Sequence, residues 1–87
     1  MLGKPVDVIS VCGCDGTIIP LRMQVEDNEH NRVRVRIDQV VSRKEIHYVG
    51  VEAHIFLCRG TMARRPCMFE LKYTFRSHSW CILRRLY

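Results

Sequence analysis

Five cysteines, four histidines and a row of arginines are the side chains in this 87-residue chain with chemistry to offer. Cys12-x-Cys14, with Cys58, Cys67 or His54, supplies the thiolate and imidazole donors of a tetrahedral zinc site. The spacing argues against it, because paired zinc knuckles place two residues between ligands, not one. The alternation of the flanking residues argues against it too. If Leu57 and Cys67 share an inner face with Ile55 and Phe69, Cys58 points outward and the thiols diverge. Nucleophilic catalysis would need a thiol within hydrogen-bond reach of a base. Cys14 on a glycine-rich turn is the most accessible thiol, and His54 or His78 the available base, but nothing in the chain order brings them together. The expectation is no enzyme, no metal and no cofactor.

The arginines are the stronger signal. Eleven arginines against three lysines carry a formal charge of +5. Arginine presents a planar, bidentate head that suits phosphate and carboxylate. In Arg32-Val33-Arg34-Val35-Arg36-Ile37 the arginines fall on one side of a strand and the aliphatic residues on the other. Successive arginines are then about 7 Å apart, at ~3.3 Å per residue. Arg22 joins this face across a hairpin, and Arg59, Arg64 and Arg65 would add to it if the fold brings their loop alongside. A basic face of this kind attracts nucleic acid or an acidic protein through phosphate or carboxylate contacts. Phe69, Tyr73 and Phe75 alternate with Glu70, Lys72 and Thr74, which sends the rings inward and leaves no aromatic platform for stacking bases.

The elements that must position these groups are strands. Besides the arginine strand, Ile19/Leu21/Met23/Val25, Val51/Ala53/Ile55/Leu57 and Cys67/Phe69/Leu71/Tyr73/Phe75 alternate with a period of two, each reading as a half-buried strand. Strands are expected at Val6–Cys12, Thr17–Glu26, Arg32–Val40, Val51–Cys58, Cys67–Phe75 and Trp80–Leu86. Cys12–Gly16 and Asp27–Asn31 make turns, and 59–66 an eight-residue loop. Pro20 lacks a donor, so its strand lies at an edge or carries a bulge there. Aligning the aliphatic faces pairs Val25 with Val33, Met23 with Val35 and Leu21 with Ile37. On the outer face Glu26 then meets Arg32, Gln24 meets Arg34, and Arg22 meets Arg36 in a like-charge contact. Ser42 and Glu45 have the form of a capping box, with Val41 and Ile46 as a staple and Gly50 as a left-handed stop. They predict a short helix near residues 43–49, with a continuous strand through 45–49 as the competing reading. Trp80 is expected to be buried against Phe69 or Leu71.

The fold class is therefore all-β: a small six-stranded, mainly antiparallel barrel or rolled sheet with one short helix, forming a single domain over 1–87. A 47% apolar and 26% charged composition is that of a globular chain. No apolar run reaches the ~18 residues of a membrane span, and no secretory signal is read at the start. Five cysteines, an odd count, with no such signal fit a reducing compartment and free thiols. Asp15-Gly16-Thr17-Ile18-Ile19-Pro20-Leu21, then Ile37-Asp38-Gln39-Val40, Gly50, Cys58 and Trp80 fall in an order that resembles the small uncharacterised all-β proteins of Gram-positive, clostridial-type bacteria. The resemblance covers roughly residues 15 to 82. It implies a bacterial, stand-alone, cytoplasmic protein and brings no activity or site residue with it. Function is expected to be a non-enzymatic binding module with an anionic partner. The alternative is a self-associating or adaptor protein, a homodimer for instance, acting through an edge strand, with Tyr48 or Tyr87 at the contact and the charge incidental.

Overall fold

The alternating stretches all become strands, joined into one antiparallel sheet. The computed structural model describes residues 3–48 and 50–87, and among these it forms seven strands. They are β1 (Lys4–Pro5), β2 (Asp7–Cys12), β3 (Ile18–Glu26), β4 (Arg32–Tyr48), β5 (Val51–Met62), β6 (Arg65–Thr74) and β7 (Ser79–Arg85). Their order is β1-β7-β6-β5-β4-β3-β2, every pair antiparallel, and the sheet curls into a half-barrel. The expected first strand forms as β2, one residue shorter, and Lys4–Pro5 ahead of it is an additional strand, so seven form where six are expected. Lys4–Pro5 pairs with β7, Asp7–Cys12 pairs with β3, and Val6 N–H between them donates to the Trp80 carbonyl at 3.2 Å. One N-terminal stretch so touches both ends of the sheet. Among the described residues no helix is long and apolar enough to cross a membrane.

The concave face holds the core: Met23, Val35, Ile37, Phe56, Cys58, Cys67, Phe69, Leu71 and Trp80. Trp80 pairs with Tyr73, and its ring lies 4.9 Å from that ring and 5.6 Å from Phe56. The β3–β4 register is the one expected over Val25–Val33, Met23–Val35, Glu26–Arg32, Gln24–Arg34 and Arg22–Arg36. The Leu21–Ile37 pair does not form. Ile9 pairs with Arg22 and Ser10 with Pro20, so Leu21 is the extra residue of a bulge beside the proline. The bulge reverses the phase of the strand. Pro20 turns inward, and Ile19 and Leu21 are exposed rather than core.

Three further expectations are corrected. The Ala53/Ile55/Leu57 row is not the core row of β5 (the side chain of Val51 lies outside the described residues). Phe56, Cys58 and Gly60 face inward, opposite Leu71, Phe69 and Cys67. Both rows of β5 are apolar, so alternation does not choose between them, and Ala53 and Ile55 are buried on the other side. The short helix near 43–49 is absent: β4 runs on to Tyr48, paired with β5 from Ser42–Leu57 to Tyr48–Val51, while Val49 lies outside the described residues. Ile46 and Tyr48 suit a strand, and Gly50, at φ +79°, serves a hairpin instead of ending a helix. The eight-residue loop is also absent. β5 and β6 extend until Met62 faces Arg65, leaving a two-residue turn whose Ala63 and Arg64 both have left-handed φ, 51° and 64°. Positive φ at both central residues gives the hairpin turn whose twist matches that of the strands.

Candidate anion-binding face

The arginine face is built by the β3–β4 ladder and bent by a bulge. Arg22 and Arg36 stand directly opposite each other, with Gln24–Arg34 and Glu26–Arg32 the next pairs along. All four arginines are exposed. Two arginines in direct opposition repel, and the structure supplies a counter-charge. β4 carries an irregularity between Ile37 and Gln39, so Asp38 has no partner in the ladder. Its Oδ1 accepts from Arg36 Nε at 2.6 Å, and its Oδ2 accepts from the Thr61 hydroxyl at 2.6 Å. The Thr61 hydroxyl, and after it Arg36, hold the Asp38 carboxyl below its ordinary pKa. Arg36 is therefore clamped.

Arg32 is also engaged, donating to Gln24 Oε1 at 3.3 Å and lying 3.7 Å from Asp7 Oδ2. Arg22 and Arg34 differ from both, since neither joins an ion pair among the described residues. They border a shallow groove of about 360 Å³ that also takes in Asp7, Val8, Ile9, Met23 and Gln24. Ile9, 59% exposed, provides an apolar edge beside the two free cations.

Of the three other candidate arginines, Arg59 joins this side. Arg36 pairs with Thr61, and Arg59 lies two residues further along β5 on the same face, opposite Gln39. The Val35–Met62 pair puts Arg34 level with the turn formed by Ala63 and Arg64. Arg65 does not join this side. It pairs with Met62, whose row faces the core, and so stands on the opposite side of the sheet at the rim.

The thiols and histidines are arranged differently from the expectation. Cys58 does not point outward; it is fully buried on the same inner face as Cys67. Burial pushes the Cys58 thiol up to about 12, so it persists as an inert thiol. Cys12 and Cys14 are exposed at the β2–β3 turn. Among the described residues no group of three or more His, Cys, Asp and Glu is placed to hold a metal. Neither candidate base is hydrogen-bonded to Cys14. His78 Nδ1 lies 3.0 Å from the Tyr73 hydroxyl, and His54 Nε2 lies 3.3 Å from Glu45.

Glu45, His47 and His54 form a small polar cluster that sequence reasoning missed. Glu45 Oε2 is 2.8 Å from His47 Nε2, and its carboxyl is held low by His47 first and His54 second. The i, i+2 spacing of Glu45 and His47 would have indicated a shared strand face, but a helical reading of 43–49 hides it. Comparison of the chain with protein-family models, curated proteins and solved structures finds no match.

Proposed function

We propose that this chain is a non-enzymatic binding module whose outer β3–β4 face takes a polyanion, single-stranded nucleic acid first among them. The observation that carries the reading is the pair Arg22 and Arg34, exposed, free of carboxylate partners and set beside the clamped Arg36 and Arg32. The clamp holds Arg36 in place while its two neighbours keep their donors for a ligand. Each bidentate guanidinium suits a phosphate, and contacts of this kind depend on charge and spacing more than on base identity. The resemblance to small bacterial all-β proteins supports a bacterial cytoplasmic setting for this role. Fluorescence anisotropy of a labelled single-stranded oligonucleotide tests it. Wild type should bind at ~50 mM salt, where phosphate contacts are strong, and Arg22→Gln with Arg34→Gln should lose most of that affinity at an unchanged melting temperature. No binding by wild type ends this reading.

A second reading is favoured by one specific observation. β4 pairs with β3 only from Arg32 to Arg36, so beyond that point its β3-side edge has no partner strand among the described residues. Ile19, Leu21, Val41 and Tyr48 are exposed. An open edge with apolar neighbours can accept a strand from a second copy. A dimeric elution volume in gel filtration that reverts to monomer on Val41→Lys would support this reading.

A further inference from the structure

We infer that the mouth of the half-barrel is a binding site for a compact apolar anion, an aromatic or short-chain carboxylate. The inference does not rest on the arginine face: its cations are Lys4 and Arg85, and Met23 is the one residue that lines both this site and the groove beside Arg22 and Arg34. On the concave side of the sheet a pocket of about 170 Å³ is lined from β1 and β3 through β7, walled by Met23, Val25, Val35, Met62 and Phe69 and bordered by Lys4 and Arg85. A dry cavity of about 150 Å³ takes a benzene molecule, so one ring or a short acyl chain sets the size limit. Methionine walls adapt their shape to such a group, and the mouth of a barrel is a common place for a small-molecule site.

The rim decides the sign of the ligand. Its polar lining is cationic, with no carboxylate among the lining residues. Lys4 Nζ donates to the Glu26 main-chain oxygen at 3.1 Å, and Arg85 Nε donates to the Tyr87 main-chain oxygen at 3.3 Å. Neither forms an ion pair with a side-chain carboxylate among the described residues. The nearby carboxylates are occupied elsewhere, Glu26 by His30 and Asp7 by Arg32. Arg85 pairs with Phe69 in the β6–β7 ladder, which puts the two side chains on the same face of the sheet, and both line the pocket. Its charge is felt inside as well. Burial raises the Cys67 thiol, and Arg85 works in the opposite direction. A ligand with an apolar body and one carboxylate would fill the pocket and receive donors from both cations. A neutral ligand of the same shape would leave them without a partner, and a cation would be repelled.

Benzoate and benzyl alcohol are the probes, read by the methyl signals of ¹³C-labelled methionine in the intact protein. Benzoate should shift Met23 and Met62 with a Kd of about 1 mM or tighter, and benzyl alcohol should bind roughly tenfold more weakly, a difference of ~1.4 kcal/mol. Lys4→Gln with Arg85→Gln, both exposed positions, should reduce benzoate to the affinity of the alcohol. Val25→Trp should fill the space and abolish both shifts. Equal affinity for the two probes, or a benzoate response at Met23 and the outer face around Arg22 and Arg34 while Met62 stays still, would overturn the inference.

Discussion

Replacing Gly60 by alanine perturbs the point where β5 presses hardest against β4. Gly60 pairs with Ile37 on the inner face, beside the Asp38 irregularity. An added Cβ would lie 2.5 Å from the Arg36 carbonyl oxygen and 3.1 Å from Phe69 Cε1. The first contact is with backbone that cannot turn aside, because Arg36 is paired with both Arg22 and Thr61 and its side chain is tied to Asp38. Relief requires β4 and β5 to separate by several tenths of an ångström or Phe69 to leave its place. Overpacking of this kind costs about 1–3 kcal/mol. That is a large share of a stability of ~0.05–0.15 kcal/mol per residue. With a urea dependence of about 1 kcal/mol per M for so small a domain, the unfolding midpoint should fall by ~1–3 M. The single tryptophan, Trp80, buried in the core, reports the transition by fluorescence. Gly50→Asn is the comparison: nothing lies within 4 Å of an added Cβ, and at φ +79° asparagine bears the backbone strain better than most side chains, so its midpoint should fall by less than that of Gly60→Ala. A Gly60→Ala midpoint equal to or above wild type would refute the packing described for this crossing.

Trp80→Ala removes a core ring in contact with Phe56 and Tyr73 and should cost about 3–5 kcal/mol, leaving little or no folded protein by circular dichroism. Native protein should react with Ellman's reagent rapidly at the exposed Cys12 and Cys14, while Cys58, its thiol pushed up to about 12, and the buried Cys67 react only after denaturation. The Asp27 carboxyl is held below its ordinary value by the backbone N–H of Asn31, with a further bond from Glu29. Its contribution to stability is therefore complete above the unfolded-state pKa and disappears as pH falls through the lower folded-state one. The melting temperature should start to drop as pH falls to about 4, the ordinary carboxyl value, and go on dropping below it, and Asp27→Ala should lower it at neutral pH and flatten that drop. A melting temperature unchanged down to pH 3 would count against these turn bonds.

The hairpin carrying the candidate site was the most legible part of the sequence. A polar turn at Asp27–Asn31 and alternation on both sides leave one register that buries Val25, Met23, Val33 and Val35 together, and those pairs form. Bulges are different. Pro20 marks an edge or a bulge at its position, but neither it nor anything around Asp38 shows which residue is extra, and each extra residue reverses the faces beyond it, which is why Ile19 and Leu21 read as core and are exposed. β5 gave two apolar rows, and only its partners show that Phe56 and Cys58 face inward. Ser42 and Glu45 satisfied a local helix rule that seven strand pairs override, Ser42–Tyr48 running against Val51–Leu57. The Ala63–Arg64 turn lacks the glycine or asparagine that would have announced it. For the site, the row of arginines was visible and its partial neutralisation was not, since Asp38 reaches Arg36 and Thr61 only because of the irregularity. Lys4 and Arg85 come from opposite ends of the chain, and only the sheet closing on its N-terminal stretch sets them at one rim.

The salt dependence of oligonucleotide binding tests the arginine face most directly. Affinity for a single strand falls with log salt at a slope of about −0.7 per phosphate contact. Between ~20 and 200 mM salt, wild type should give a linear plot, and Arg22→Gln with Arg34→Gln should reduce the slope by about 1.4, two contacts' worth. The same pair of changes should leave the melting temperature in place, because neither side chain has an ion-pair partner among the described residues to lose. A slope identical in wild type and variant, or an affinity that does not respond to salt, would contradict the assignment of these two arginines as the phosphate-contacting residues.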